Sequence, residues 1–332
     1  MKACFFVKLP NKSYLEHVEF YKQDINILQD LGFKVVCATR WSEIPWAVDF
    51  LFIWWWTWAF LPLTKAYIKK CPTIVTGVFD HMWQKNEWDF SLRPWWQQRL
   101  IRFGLKHAAV NVFISKQEFE RIPKILEVNN PHYSPLSVDT SIYHPGDGSH
   151  EDIVFTTSWL EGMNPVRKSI PEIIRAARTV VEAYPKVRFV IAGERGSYYP
   201  KLIKMTEELG LADRIIFPGK ISREKKIKYM QHCKVYLQPS KHEGFGLAIL
   251  EAMSCGAPVV TSPTGAIPEV VGETAMFAEA TSPDSIAQAV IRLLENESLR
   301  IRLGEQARKR AEEEFPYRRR KKDLEGIIYS LF

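Results

Sequence analysis

Short apolar runs alternate with amphipathic helical segments along this chain, and that alternation is typical of parallel α/β sheets. A stretch at 137–151, rich in Pro, Gly and Ser, divides the runs into two series. We therefore predict two doubly wound domains that face one cleft, with ligands outside the carboxyl ends of the strands. Strands are predicted at 3–7, 34–39, 49–54, 73–78 and 109–114 in the first series, and at 153–157, 188–192, 215–217, 235–238 and 258–261 in the second.

The segment 239–256 joins a predicted strand to a predicted helix through a glycine-containing turn. Gly244 and Gly246 allow close approach of the backbone to a ligand, and the start of the helix offers free N–H groups to a diphosphate. Glu243 and Glu251 would repel phosphate, so we expect them to face sugar and ribose hydroxyls. Their separation of up to about 12 Å matches the reach of a nucleotide sugar. Taken alone, either glutamate is better explained as a solvated charge; the assembled segment favours a ligand site.

A second candidate site feature lies after the strand predicted at 153–157. Arg167 and Lys168 fall near the start of the helix that follows this strand, where both side chains could neutralise a diphosphate. Two basic residues at a helix start are also commonly just solvated.

Composition fits two folded domains, since the 332 residues are 46% apolar. The net charge of +7 is moderate and acidic residues are interspersed, so no nucleic-acid partner is expected. The five cysteines are scattered without metal spacing and indicate a reduced, cytoplasmic chain. The first ten residues lack the features of a secretory signal, and the apolar stretch 50–63 is too short to cross a bilayer.

Tryptophans are concentrated in the first half, where some should be core and others could stack on a sugar or lie at a lipid interface. Arg99, Arg102 and Lys106 follow Trp95 and Trp96 at helical spacing and form a basic stripe. This stripe is either solvated or rests on an anionic membrane surface, which would make the chain peripheral on the inner face of the membrane.

The segment 239–256 resembles the signature of the retaining glycosyltransferases of family 4, which have the GT-B fold. Other stretches agree with this resemblance: 137–145 is similar to the family's interdomain segment, 217–219 to the loop beside the base, and 256–260 with 265–272 to the strand and loop after the glutamate helix. The resemblance covers 137–317 densely and is weak over the first 130 residues.

The resemblance implies a GT-B architecture of two Rossmann-like domains. The N-terminal domain, 1–136, would bind the acceptor, with the C-terminal helix 317–332 packed back on it. A linker at 137–150 would lead to the nucleotide-sugar domain at 151–316. The implied activity is retaining, metal-independent transfer of a sugar from a UDP or GDP sugar to an acceptor hydroxyl, in glycan, glycolipid or cell-surface polysaccharide synthesis. The implied partners are the donor and a glycan or lipid-linked acceptor; no cofactor is expected, and no Asp-x-Asp metal signature lies near the donor elements.

The resemblance also assigns residues. Lys168 matches a family lysine, whereas Ser158 and Trp159 stand where an arginine is usual, so we expect Arg167 to replace that charge. His81 is the preferred match to a histidine that contacts the donor sugar, with Asp80 as the alternative; a helix N-cap at Asp80 and a surface His81 fit equally well. The catalytic candidates are Glu243, His81, Asp80 and Lys168. The donor-binding candidates are Arg167, Lys168, Gly193, Glu194, Gly219, Lys220, Glu243, Gly244, Phe245, Gly246, Leu247 and Glu251.

Other functions remain open at this point. A nucleotide-sugar epimerase or a phosphorylase could share the fold, although the chain lacks a visible acid and base pair for the first and a lysine placed for a pyridoxal cofactor for the second. A non-catalytic nucleotide-sugar-binding subunit of another glycosyltransferase is the alternative from a different class. The departure at Ser158 and Trp159, and the absence of a glycine pair after the first strand, motivate it.

Overall fold

The computed structural model of the chain describes residues 1–79 and 89–332. These residues form two compact units. The first unit contains Met1–Leu136 and Arg318–Phe332, and the second contains Ser137–Tyr317.

The first unit is built on a six-stranded parallel sheet with the order β2-β1-β3-β4-β5-β6. Every residue of β3, β4 and β5 is buried, as expected for parallel strands covered on both faces. The strands are β1 (Lys2–Val7), β2 (Lys34–Ala38), β3 (Phe50–Trp54), β4 (Thr73–Gly77), β5 (Val110–Phe113) and β6 (Pro131–Tyr133).

Five helices of the first unit connect these strands: α1 (Tyr14–His17), α2 (Glu19–Asp30), α3 (Phe60–Lys69), α4 (Trp95–His107) and α5 (Lys116–Ile125). The prediction that some tryptophans of the first half belong to the core is confirmed, because Trp54 and Trp56 are fully buried. The indole N–H of Trp56 donates to the Asn111 side-chain oxygen at 2.7 Å, so the polar atom of this large ring is satisfied inside the core.

The second unit has its own six-stranded parallel sheet, with the order β12-β11-β10-β7-β8-β9. The predicted α/β fold of two doubly wound parallel sheets is thereby confirmed. Two edge strands, β6 in the first sheet and β12 in the second, were not predicted. The strands of the second unit are β7 (Glu151–Thr157), β8 (Arg188–Ala192), β9 (Ile215–Gly219), β10 (Cys233–Gln238), β11 (Val259–Thr261) and β12 (Ala275–Phe277).

Helices cover both faces of the second sheet. They are α6 (Asn164–Arg167), α7 (Ile170–Ala183), α8 (Tyr199–Glu208), α9 (Arg223–His232), α10 (Leu247–Ser254), α11 (Ile267–Val271), α12 (Pro283–Glu295) and α13 (Glu297–Glu314). Side-chain caps explain several of the starts: Ser222, Ser282 and Asn296 each accept a hydrogen bond from the backbone N–H three residues on. The last helix, α14 (Tyr317–Tyr329), belongs to the first unit from Arg318 onward.

Across residues 1–79 and 89–332, no helix has both the length and the apolar character that spanning a bilayer requires.

Candidate functional site

The chain order of the second sheet reverses between β7 and β10. These strands are neighbours at the centre of the sheet, and the chain proceeds from β7 toward one edge and from β10 toward the other. Ligands of such sheets bind outside the carboxyl ends of the strands at this reversal. Arg167 and Lys168 follow β7, and Glu243 follows β10. The fold therefore brings three of the predicted site residues to one place.

Glu243 is the centre of this cluster and is only 8% exposed. One carboxylate oxygen, Oε2, lies 3.0 Å from a guanidinium nitrogen of Arg167. The other, Oε1, lies 3.6 Å from Nζ of Lys168 and accepts hydrogen bonds from the Ser240 hydroxyl at 2.8 Å and the Gln238 amide at 3.0 Å. Glu243 is therefore not the solvated loop charge that it could have been from sequence alone.

These neighbours keep Glu243 ionised. Burial by itself would raise the pKa of Glu243, but the charges of Arg167 and Lys168 and the Ser240 hydrogen bond lower it to about 2. The Tyr236 hydroxyl donates to the side-chain oxygen of Gln238 at 2.7 Å, which leaves the amide N–H₂ of Gln238 to donate to the carboxylate.

The two cations differ in exposure and in partners. The Arg167 side chain keeps 24% of its surface exposed, while its guanidinium also donates to the His242 carbonyl at 2.8 Å and to the Asn164 side-chain oxygen at 2.7 Å. The Lys168 side chain is 13% exposed. Burial lowers the pKa of Lys168, and the Glu243 carboxylate opposes that decrease. Arg167 is thus the more accessible of the two charges for an anionic ligand.

The turn between Glu243 and α10 is fixed by backbone packing. Gly246 has a φ of 98° just before the helix, a conformation that glycine adopts without steric cost. The backbone N–H of Ala266 donates to the Glu243 carbonyl at 3.0 Å. A Cβ atom at Gly265 would lie 2.2 Å from that carbonyl oxygen, so only glycine allows this approach. The loop after β11 thereby supports the backbone that carries Glu243.

Four predicted donor-binding residues follow Glu243, and Gly246 is the one that shapes the turn. Gly244 and Leu247 are half-buried, and Leu247 is the first residue of α10. The Phe245 side chain is 3% exposed and packs edge-on against Phe315 with ring centroids 5.8 Å apart, so its ring is a core element and only its backbone is available to a ligand.

Glu251 lies within α10 and is 3% exposed, so it is not an exposed helix charge. Its two carboxylate oxygens accept hydrogen bonds from Nζ of Lys226, on α9, at 2.9 and 2.8 Å. The same ammonium lies 5.2 Å from the centre of the Tyr143 ring. Sequence reasoning did not single out Lys226, because the contact depends on how α9 packs against α10.

The remaining donor-binding candidates line the ends of β8 and β9. A Cβ atom at Gly193 would lie 1.7 Å from the Ser158 carbonyl oxygen, so this glycine lets the loop after β8 close against the loop after β7. Glu194 is exposed, and its carbonyl accepts from the Leu160 N–H at 3.0 Å. Gly219 has a φ of 77°, and Lys220 beside it is exposed. These residues share the carboxyl edge of the sheet with Glu243.

Two catalytic candidates, Asp80 and His81, lie outside the described residues. Within 1–79 and 89–332, no group of three or more His, Cys, Asp or Glu side chains is arranged to hold a metal ion.

Residues 164–310 match the family model for glycosyl transferases group 1. The range includes Arg167, Lys168, Glu243, Glu251 and Lys226. The matched range begins after β7 and contains α6 to α12 and β8 to β12.

Among curated proteins, the chain is 28% identical over 266 residues to the MMP alpha-(1->4)-mannosyltransferase of Mycolicibacterium hassiacum, covering 74% of this chain and 62% of that protein. It is 26% identical over 241 residues to the N-acetyl-alpha-D-glucosaminyl L-malate synthase of Bacillus anthracis, covering 70% of this chain and 62% of that protein. The matches thus span about three fifths of the length of these two relatives.

Among solved structures, the sucrose-phosphate synthase of Thermosynechococcus elongatus superposes with a TM-score of 0.81 at 15% identity, over 100% of this chain and 99% of that one. The Anabaena protein HepE, solved with UDP and glucose, superposes with a TM-score of 0.79 at 16% identity, over 99% of this chain and 100% of that one. These similarities establish a common fold.

Proposed function

We infer that this chain belongs to the glycosyl transferases group 1 family, whose model matches residues 164–310, and that it transfers a sugar from a nucleotide-diphosphate sugar to an acceptor hydroxyl. The observation that carries the proposal is the cluster at the reversal of the second sheet, where Arg167 and Lys168 flank the ionised Glu243 beside a glycine turn and a helix start. The cations suit a diphosphate, and the carboxylates suit hydroxyl groups. The HepE structure with UDP and glucose is of the same fold and supports this class of donor.

Departure of the nucleoside diphosphate is the step in which negative charge develops. The bond between the sugar and the β-phosphate oxygen breaks, the bond to the acceptor oxygen forms, and the acceptor proton passes to a phosphate oxygen. We assign Arg167 and Lys168 to stabilise the leaving diphosphate together with the N–H groups at the start of α10, an electrostatic role that needs no metal ion. Gly193, Glu194, Gly219 and Lys220 would complete the donor side at the ends of β8 and β9.

Glu243 is assigned to orient the donor sugar rather than to attack it. A carboxylate with a pKa of about 2 is a weak nucleophile, and the oxygens of Glu243 already accept hydrogen bonds from Ser240 and Gln238 and form ion pairs with Arg167 and Lys168. Retention would then follow from attack on the same face as the leaving group, assisted by a phosphate oxygen, without a covalent glycosyl-enzyme. Glu251 is assigned to the ribose hydroxyls.

A thermal-shift screen tests donor binding. We expect UDP or GDP, or their sugars, to raise the melting temperature of the wild type, and Glu251→Gln to reduce that shift. Nicotinamide dinucleotides serve as the control, and stabilisation by these alone would refute the assignment. Release of nucleoside diphosphate in the presence of a cell-wall acceptor extract then tests transfer. Tight donor binding without turnover, unchanged in Glu243→Ala, would favour the non-catalytic binding subunit.

We also propose that an anionic membrane surface is a partner of the first unit. Neither α3 nor α4 contains Asp or Glu. The lysines and arginines of the two helices are Lys65, Lys69, Arg99, Arg102 and Lys106. Trp95 and Trp96, at the start of α4, are 69% and 44% exposed. Lys106 pairs with Glu127, so Arg99 and Arg102 are the stronger candidates of the α4 stripe.

The outer face of α3 adds apolar surface to this region. Both helices pack on one core cluster of the first unit, and the Phe60 ring of α3 lies 4.9 Å from the Phe103 ring of α4. Leu61, Tyr67 and Ile68 on α3 are 41%, 86% and 65% exposed. Exposed apolar side chains beside basic ones are the chemistry that binds a bilayer containing acidic lipids.

Vesicle co-sedimentation tests this surface with phosphatidylcholine vesicles that do or do not contain phosphatidylglycerol. Each basic side chain near an anionic bilayer contributes about 1 kcal/mol, so Arg99→Gln with Arg102→Gln should weaken binding about thirtyfold. Tyr67→Ser with Ile68→Ser should also weaken it, about tenfold. Lys201→Gln with Lys204→Gln, on exposed positions of α8, is the charge-matched control. No binding to acidic vesicles at low salt would refute the proposal.

A further inference from the structure

Lys226 and Glu251 form an ion pair. The roles assigned to Arg167 and Lys168 do not explain what Lys226 does. The Lys226 side chain is 20% exposed and the Glu251 side chain 4% exposed. Nζ of Lys226 lies 2.9 and 2.8 Å from the two oxygens of Glu251, so one ammonium contacts both ends of the carboxylate. A largely buried carboxylate needs such a partner, because an isolated charge is costly to remove from water.

The pair has hydrogen-bonding capacity left over. An ammonium has three N–H donors, and Glu251 takes two of those of Lys226. The third has no hydrogen-bond acceptor among the described residues; the nearby Tyr143 ring contributes only its face, at 5.2 Å. Each carboxylate oxygen can also accept a second hydrogen bond. The pair therefore offers a ligand one hydrogen-bond donor and two acceptor positions, and it carries no net charge.

A balanced pair with both donor and acceptor capacity suits a neutral hydroxyl-bearing group better than a phosphate. Each hydroxyl of a vicinal diol donates one hydrogen bond and accepts others, so a diol can use both members of the pair. Arg167 and Lys168, by contrast, outnumber the single carboxylate of Glu243 and retain net positive charge for an anion.

We propose that Lys226 is a specificity-determining residue that recognises the ribose diol of the nucleotide together with Glu251. Glu251 accepts from the ribose hydroxyls, while Lys226 fixes the carboxylate and donates its third N–H to a hydroxyl oxygen. This inference rests on the proposed function, because it requires a nucleotide in the second unit. Lys226 then sets the preference for a ribonucleotide over a deoxyribonucleotide.

Calorimetric titration with UDP and 2′-deoxy-UDP, or with GDP and 2′-deoxy-GDP if the wild type prefers guanine, tests the inference. Hydrogen bonds to charged groups predict that the wild type binds the ribonucleotide about ten to one hundred times more tightly. Lys226→Met should reduce that ratio to below about three, whereas Lys226→Arg should retain most of it. Lys228→Met, at an exposed position of the same helix, is the matched control and should keep the wild-type ratio.

The ratio of ribonucleotide to deoxyribonucleotide affinity distinguishes recognition of the ribose by Lys226 from a purely structural role of Lys226. If Lys226→Met weakens both nucleotides by the same factor, or leaves the ratio unchanged, the inference is refuted while the proposed function stands. If the wild type binds no nucleoside diphosphate, the proposed function and the inference fail together. Should Lys226→Met not fold, Lys226→Gln gives the same comparison, because its amide keeps N–H donors but no charge and should lower the ratio partially.

Discussion

Asp24 and Arg320, which are 296 positions apart in the sequence, form a fully buried ion pair with two hydrogen bonds. The guanidinium Nε and one terminal nitrogen lie 2.7 and 2.9 Å from the two carboxylate oxygens. The remaining terminal nitrogen donates to the Ser134 carbonyl at 2.7 Å, and the Trp54 indole N–H donates to Asp24 at 3.0 Å. Because nearly every polar atom of the pair is satisfied, α14 is held against α2 and the end of the first sheet.

Removing one member of this pair should strongly destabilise the first unit. Arg320→Met leaves the Asp24 carboxylate buried without its cation, and we expect it to lower the free energy of unfolding by about 3–5 kcal/mol. Asp24→Leu with Arg320→Met should recover most of the loss, since no buried charge remains. Urea unfolding monitored by tryptophan fluorescence measures both. Arg318→Met, at an exposed position of the same helix, is the control. A single variant as stable as the wild type would contradict the expectation.

The lowered pKa of Glu243 predicts a specific dependence of stability on pH. Its folded-state pKa is about 2 against an ordinary 4.5, so its stabilising contribution is complete above pH 4.5 and is lost as pH falls toward 2. That contribution amounts to about 3 kcal/mol at pH 7. Glu243→Gln should therefore unfold more easily than the wild type at pH 7, and the difference should be about 1 kcal/mol smaller at pH 4.

Urea unfolding of both proteins at pH 7, 5.5 and 4 checks this dependence. Glu305→Gln removes an exposed carboxylate of α13, and its free energy of unfolding should differ little from that of the wild type at any of these pH values. A difference for Glu243→Gln that is constant with pH would show that the carboxylate keeps its ordinary pKa in the folded protein.

Whether a strand can be predicted from the sequence depends on how many consecutive apolar residues it contains. The central strands bury four or more consecutive residues, so their runs stand out and were predicted to within two residues at each end. The two missed strands have only three residues each, begin with Pro131 and Ala275, and include no buried residue. These strands form because they pair with the edge of the sheet, and such pairing leaves no pattern in the local sequence.

The site was predictable where residue type and chain position were enough. Glu243, Arg167 and Lys168 follow adjacent strands, so parallel topology alone brings them together. Lys226 was missed because its contact with Glu251 depends on the packing of two helices. Phe245 shows another limit, since sequence does not distinguish a residue whose side chain binds from one that offers only its backbone.

Arg167 should contribute to binding the diphosphate rather than the nucleoside. Its partly exposed guanidinium is the most accessible charge of the cluster, and hydrogen bonds to charged groups predict that Arg167→Gln weakens UDP or GDP binding about ten- to one-hundredfold. Binding of the corresponding nucleoside should change little. Calorimetric titration of both ligands measures the two effects. Arg178→Gln, on the exposed face of α7, is the control; an equal loss for nucleoside and diphosphate would place Arg167 away from the phosphates.

Gly265 should be required for the geometry of Glu243 as well as for its own backbone conformation. In Gly265→Ala the new Cβ would lie 2.2 Å from the Glu243 carbonyl oxygen at a φ of 56°, so the supporting loop must shift. Gly148 is a matched control, because its φ is 85° and a Cβ added there would meet no atom within 4 Å.

Both substitutions, Gly265→Ala and Gly148→Ala, should lower the melting temperature because alanine is strained in the left-handed conformation, at a cost of about 1 kcal/mol. Only Gly265→Ala should also reduce sugar transfer, by at least about tenfold, because a small displacement of a positioning group is costly. Equal transfer rates in the two variants would show that the loop after β11 does not determine the position of Glu243.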